Sequence, residues 1–222
     1  MGLISQQTFK FLRELKANNN REWFNANKQR YIDEVRDPLL VLVAQLSSPL
    51  AKISRHIVAD PRPVGGSLFR IYRDTRFSKD KSPYKTHAGM HFGTRGEGML
   101  GAGYYLHLEP RHVFMAAGVW HPEAPTLKTI RDTIVAKPKA WQQVSKKVEL
   151  DEGDDGRLKR PPQGYDPQNP LIEDLKRKSF TASTTFTEAQ ACAADFPKRF
   201  IKACEQKVPL MEFLTTAVGL RW

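Results

Sequence analysis

The sequence predicts an α+β fold, with N-terminal helices, a central antiparallel β meander and C-terminal helices in a single domain over residues 1–222. Three observations predict it. Apolar residues recur at helical spacing up to about residue 54, short β-rich runs bounded by Gly or Pro occupy residues 67–120, and helical spacing returns from residue 123.

Ser5 is placed to cap a first helix that carries Phe9, Leu12 and Leu15. Asn18-Asn19-Asn20 suits a stop followed by a fresh N-cap, because Asn tolerates the left-handed region and also caps well. From Arg21, the four-residue spacing of Trp23, Asn27, Tyr31 and Val35, with Phe24 beside them, predicts an aromatic stripe on a second helix. Asp37-Pro38 reads as a cap followed by proline at the first helical position. The third helix then runs to about Ser54 and is apolar around most of its circumference.

Residues 67–73, 87–93, 103–109 and 112–120 read as strands. Glu109-Pro110-Arg111-His112 reads as a hairpin turn. It puts Leu106, Leu108, Val113 and Met115 on one face and Tyr105, His107, His112 and Phe114 on the other. Residues 93–103 (GTRGEGMLGAG) read as a flexible connection. Residues 123–136 return to helix with Leu127, Ile130 and Ile134 inward. Asp155-Gly156, between residues 148–150 and 157–159, is a short-hairpin signal. Thr187 with Gln190 is a capping-box pattern. It starts a helix carrying Cys192, Phe196, Phe200 and Cys204, kinked at Pro197. Pro209 restarts a last short helix through Leu214.

Composition excludes several classes. Hydrophobic residues make up 40% of the chain, enough for a packed core. No apolar run approaches the roughly 20 residues of a membrane span, so no membrane partner is expected. The N-terminal segment has neither the positive region nor the cleavage site of a secretory signal. The two cysteines, Cys192 and Cys204, lie about 18 Å apart on one predicted helix, too far to bridge. Reduced thiols and a cytoplasmic setting follow.

No cofactor is implied. The chain has no Cys-x-x-Cys, no Gly-x-Ser-x-Gly elbow, no P-loop and no dinucleotide fingerprint. The acids at 151–155 do not have calcium-loop spacing. Five of the six histidines, His87, His91, His107, His112 and His121, lie in or beside the predicted sheet. Glu109 is the only acid on that hairpin, and these read as ordinary strand histidines with no metal among them.

The formal net charge of +11 favours acidic partners, and its distribution matters more than its sum. Residues 70–85, RIYRDTRFSKDKSPYK, hold Arg70, Arg73, Arg76, Lys79, Lys81 and Lys85 against only Asp74 and Asp80. Tyr72, Phe77 and Tyr84 are interleaved among them. Arginine is a permanently charged fork suited to phosphate or carboxylate, lysine a mobile point charge. On a strand, Arg70, Tyr72 and Asp74 face one side and Ile71 and Arg73 the other. The cations converge only if the chain loops after Arg73, as the turn formers of residues 78–83 suggest. The opposing reading is an internal salt-bridge network. Burial of Arg73 and Arg76 in pairs with Asp74 and Asp80 would remove the anion site.

The run from Arg73 to Thr86 (RDTRFSKDKSPYKT) resembles a widespread family of bacterial and fungal proteins classed as a domain of unknown function. Phe9-x-Phe11-Leu12-x-x-Leu15, Asn19-Asn20-x-x-Trp23-Phe24, Gly103-Tyr104-Tyr105 and Gly118-x-Trp120-x-Pro122 are also similar to it. The likeness spans nearly the whole chain and implies one coherent domain. It brings no established reaction or ligand.

The residues themselves favour binding of a phosphate-bearing or other anionic small molecule through Arg70, Arg73, Arg76, Lys79, Lys81, Tyr84 and Lys85. Tyr105 and His107 on the neighbouring sheet face would complete the pocket. An enzyme would use Arg73 and Arg76 as an anion clamp and His87, His107 or Asp74 as general acid or base. A sequence-independent nucleic-acid binder would use the whole charge. Asn19, Asn20 and Trp23 read either as a helix–helix corner or as a pocket rim.

Overall fold

Capping sets the first helix as the sequence predicts. In the computed structural model, which describes residues 2–94, 101–152 and 156–222, Ser5 accepts a hydrogen bond from the Gln7 amide at the start of α1 (Gln6–Ala17). Thr8 reaches back to the Ser5 amide and completes a capping box. Phe9, Phe11, Leu12 and Leu15 are fully buried. Asn18 ends α1 without entering the left-handed region (φ −128°). Asn20 then caps α2 (Arg21–Ala26), its side-chain oxygen accepting from the Trp23 amide at 2.9 Å.

The stripe from Trp23 to Val35 is not on one helix. It is divided among α2, α3 (Lys28–Tyr31) and a π-helical turn (Ile32–Arg36) that runs directly into α4 (Asp37–Ile53). Asp37 does not cap α4. It continues the helix at φ −68°, ψ −42°, its amide donating to the Ile32 carbonyl and its carboxylate pairing with Arg36 at 2.8 Å. Pro38 has no N–H, so the Glu34 carbonyl lacks the donor that a regular helix would supply. The buried Thr8 hydroxyl donates to that carbonyl at 2.7 Å. A proline that would break the helix is thereby accommodated by a threonine from α1.

Among the described residues the sheet has four antiparallel strands in the order β1 (Ala88–Phe92), β2 (Gly103–Glu109), β3 (His112–Val119), β4 (Phe180–Phe186). Glu109 pairs with His112 across the predicted β2–β3 turn, where Arg111 takes φ 66°. Residues 67–73 are not a strand. They touch β1 through a bridge from Leu68 to Met90, with Phe69 N–H donating to Gly89 and His91 N–H to Ser67, and then leave it. β4 was not among the expected strands. Its outer edge is met by Asp151, whose amide donates to the Thr181 carbonyl at 2.8 Å and whose carboxylate accepts from Ser183.

One face of the sheet carries the core. Met90, Phe92, Tyr104, Leu106, Leu108, Val113, Met115, Phe180 and Ala182 are buried, and the C-terminal helices pack on them. Between β3 and β4 come α5 (Ala124–Ala136), α6 (Pro138–Lys147) and α7 (Ile172–Leu175). Trp141 of α6 packs edge-on against Phe180 at 5.6 Å and donates to Asp174 at 2.7 Å. The opposite face presents Tyr105, His107, His112 and Phe114, as the alternation of the hairpin predicts.

The Thr187–Gln190 capping box opens α8 (Glu188–Cys192), which ends at Ala193. Phe196–Gln206 forms a separate α9, and Pro197 lies in its first turn rather than at a kink. Pro209 likewise lies in the first turn of α10 (Val208–Ala217). The two cysteines therefore sit on different helices, and both are free thiols. The expected Asp155-Gly156 hairpin lies partly outside the described residues, and its flanks pair elsewhere. Arg157 bridges Arg177, and the Leu158 amide donates to Lys176. Most of the expected connection over residues 93–103 also lies outside them. Among the described residues no helix is long and apolar enough to cross a membrane.

Gly118 in β3 takes φ +128°, and a Cβ there would stand 2.0 Å from the Phe180 carbonyl oxygen. Gly118→Ala is expected to lower the unfolding free energy by about 2 kcal/mol or more, because both backbone strain and a clash between strands are imposed. Urea denaturation reads this directly, and an alanine variant as stable as the parent would refute it.

Candidate functional site

Residues 70–85 fold back on themselves. The Arg73 amide donates to Pro83 at 2.9 Å, the Lys85 amide to Ile71 at 2.7 Å, and Tyr72 bridges Tyr84. Residues 74–82 form the loop that the turn formers suggest. Ile71 and Tyr84 point inward and are buried, whereas Arg70, Tyr72 and Asp74 are exposed.

This narrow hairpin is seated on the helical layer by two contacts. The Tyr84 ring stacks on Phe24, with centroids 4.1 Å apart and planes at 21°. The Asn19 carboxamide takes both backbone groups of Tyr84, Nδ2 donating to the carbonyl at 2.9 Å and Oδ1 accepting from the amide at 3.1 Å. Asn19 is thus a helix corner and a pocket wall at once.

Beside the seat lies a cleft of about 420 Å³. Lys16, Arg73 and Lys85 bring cations to it, Asp80 brings a carboxylate, and Ser82, Thr86 and His87 supply neutral polar groups. Arg73 forms an ion pair with Asp80, which also accepts from the Ser82 hydroxyl at 2.6 Å and the Ser82 amide at 2.9 Å. Those Ser82 bonds, and then Arg73, hold the Asp80 carboxyl well below the usual carboxylate range. Lys85 donates to the Arg70 carbonyl at 2.7 Å. Burial, and then the charge of Arg70, lower its pKa.

His87 connects the cleft to a cluster of rings on the open sheet face. Its ring lies 4.4 Å from that of His107, which stacks on Phe114 at 4.8 Å and stands 5.3 Å from His112. His107 Nδ1 is 3.0 Å from the Tyr105 hydroxyl and Nε2 is 3.5 Å from Glu109 Oε2. Glu109 Oε1 faces the cleft, 3.3 Å from Lys16 Nζ and 3.5 Å from the Thr86 hydroxyl. Burial, followed by the neighbouring His87, pushes His107 down to about 4. Burial lowers His87 and His91 as well. For Glu109 burial raises the pKa, but the bonds from Lys16 and His107 outweigh it and the net shift is downward.

The structure divides the residues singled out in the sequence. Arg73, Tyr84 and Lys85 line the cleft. His107 stands one side chain behind it, reached through His87, and Tyr105 stands one further, hydrogen-bonded to His107. Arg76, Lys79 and Lys81 lie on the loop outside the lining, and Arg70 is exposed on the outer side. Arg76 pairs with Asp74 at 2.6 Å, so both arginines are paired as the salt-bridge reading has it. Neither pair is buried, since the Arg76 side chain is 77% exposed and that of Asp80 60%. Lys16 and Thr86 were missed. Lys16 sits in the last turn of α1 with nothing in its local pattern to tie it to a segment about seventy residues away.

Residues 7–213 match the family described as Conserved hypothetical protein (DUF2461), and the chain belongs to that family. Among curated proteins none matches the chain.

Asn19→Ala is expected to cost about 1–3 kcal/mol, since it strips partners from two part-buried backbone groups. Unchanged urea denaturation would mean that the clamp contributes nothing. Three histidines shifted down by desolvation, the buried His107 and the half-buried His87 and His91, give a pH dependence. Their folded pKa values lie below the ordinary 6.5, with His107 at about 4, so the unfolded chain binds more protons between these values. Stability should be fully present above about pH 6.5 and fall as the pH drops toward 4. A flat unfolding free energy across that window contradicts the neutral, desolvated imidazoles.

Proposed function

We propose that this member of the DUF2461 family binds a phosphate-bearing or other anionic small molecule in the cleft between α1 and residues 70–87. The observation that carries the reading is the convergence of Lys16, Arg73 and Lys85 on one cleft of about 420 Å³. That volume falls in the range of about 300–1,000 Å³ typical of small-molecule sites. The ion pairs already there do not close it. An exposed pair is worth about 0–1 kcal/mol, so a multiply charged ligand can displace Asp80 from Arg73. Ser82, Thr86 and the neutral His87 add hydrogen-bonding groups at the wall. Arg76, held by Asp74 on the outer loop, takes no part. The two free thiols suit a cytoplasmic setting.

A second reading rests on Phe77, which is 95% exposed with the Arg76 guanidinium 5.8 Å above its ring. Lys79 and Lys81 follow it on the same loop, Lys81 donating to the Thr75 carbonyl at 2.8 Å. An aromatic ring among cations at a loop tip is suited to stacking bases of single-stranded nucleic acid.

Thermal unfolding against inorganic phosphate, nucleotides, sugar phosphates and short oligonucleotides separates the two. The cleft reading expects a stabilisation of about 2.7 kcal/mol at about 100 times the dissociation constant of a small anion. That gain should vanish in Lys85→Ala and persist in Arg76→Ala. A gain confined to oligonucleotides and lost in Phe77→Ala would replace the cleft by the loop tip. No gain with any anion rejects both.

A further inference from the structure

Outside the cleft lining, three side chains of the β2–β3 hairpin converge in a way that the anion site does not use. His107 and Glu109 are two residues apart on β2 and so share a face, and His112 is the cross-strand partner of Glu109. One ligating atom from each lies within 4.8 Å of the others. His107 Nε2 and Glu109 Oε2 stand 3.5 Å apart. Two donors at zinc-type bond lengths on a tetrahedral ion are separated by about 3.4 Å, so these two need almost no movement to share one.

The groups behind these atoms are arranged as metal ligands require. Glu109 Oε1 is occupied by Lys16 and the Thr86 hydroxyl, which fixes the carboxylate and leaves Oε2 turned toward His107. The Tyr105 hydroxyl, 3.0 Å from His107 Nδ1, holds the other side of that ring. Phe114 stacks on its face. Outer partners of this kind orient ligating imidazoles and carboxylates. His112 is exposed at the end of the hairpin and gives an ion access from solvent.

We propose that His107, Glu109 and His112 form a binding site for a divalent first-row transition-metal ion of the zinc class, with a fourth position open to water. Two imidazoles and one carboxylate suit such an ion better than calcium or magnesium, which favour all-oxygen sets. With no ion bound, Glu109 only accepts, so His107 carries its proton on Nε2 and Tyr105 donates to Nδ1. Metal binding moves that proton to Nδ1, where the Tyr105 oxygen accepts it, and frees the Nε2 lone pair. The ring stays neutral throughout. The three ligands lie outside the cleft lining, and the site shares with the cleft only the Lys16 and Thr86 groups that hold Glu109 Oε1.

The test titrates the chelator-treated full chain with Zn²⁺ by calorimetry and with Co²⁺ by visible absorption. Expected are one ion per chain, the strong visible bands of a four-coordinate cobalt site, and a switch of the His107 tautomer in nitrogen NMR. His112→Ala, at an exposed position, should weaken Zn²⁺ binding at least about tenfold. Tyr105→Phe, which keeps all three ligands, should weaken it by about 10–100-fold. Lys85→Ala should leave Zn²⁺ binding unchanged while removing stabilisation by inorganic phosphate, so failure of one site is distinguishable from failure of the other. Zn²⁺ bound equally well by His112→Ala, or not bound by the parent chain, overturns the site.

Discussion

Asn19 sits at the break between α1 and α2 and uses both ends of its amide on the backbone of Tyr84. It does for one residue what a neighbouring strand would do for several. With the Phe24 ring under Tyr84, this clamp decides where a strongly cationic segment meets the rest of the molecule. Without it, little beyond the buried Ile71 would tie residues 70–85 to the core. With it, Lys85 follows immediately at the wall of the cleft, His87 lies at the mouth of β1, and Lys16 comes across from α1. The geometry of the candidate site is therefore inherited from an uncharged side chain.

The charges around that seat are arranged for position more than for strength. Asp80 is anchored by Ser82 through two hydrogen bonds, and it steadies the Arg73 guanidinium at the cleft. Exposed pairs of this sort contribute little to stability. Their effect is to restrict a flexible side chain at the cleft wall, which in the proposed site would lower the ordering cost of binding. Arg76 and Asp74 make an equally close pair farther out on the loop and bring nothing to the cleft. Six cations clustered in sequence thus separate in space, two at the cleft, three on the loop and Arg70 on the outer side.

What the sequence reveals, and what it hides, follows from the range of the interactions involved. Ser5, Asn20, Thr187 with Gln190, and Pro209 each act within one helical turn, and each was readable. So was the alternation that divides the β2–β3 hairpin into a core face and a histidine face. The strand FTASTTF was not, because it is mostly polar and becomes a strand only by pairing with β3 across sixty intervening residues. Residues 67–73 carried strand-like composition but lie on the sheet edge for only part of their length. Asp37-Pro38 does fall at the start of α4, but Asp37 is not its cap, because the chain enters already helical from the π turn and the Thr8 hydroxyl takes the carbonyl that Pro38 leaves without a donor. At the site, Arg73 and Lys85 could be picked out by charge, whereas Lys16 depended on a tertiary approach that no local pattern records.

The two outer strands of the sheet are both shielded, though neither by a full partner. Along β1, residues 67–69 take up backbone groups of Gly89 and His91 before turning away, and along β4 Asp151 takes the Thr181 carbonyl and the Ser183 amide. An open strand edge is a template on which a second chain can add. Here a copy approaching either side would meet groups already engaged and an irregular stretch of chain in its path. A four-stranded sheet among the described residues can thus remain finite, and a chain of formal net charge +11 meets its surroundings without offering them an adhesive margin.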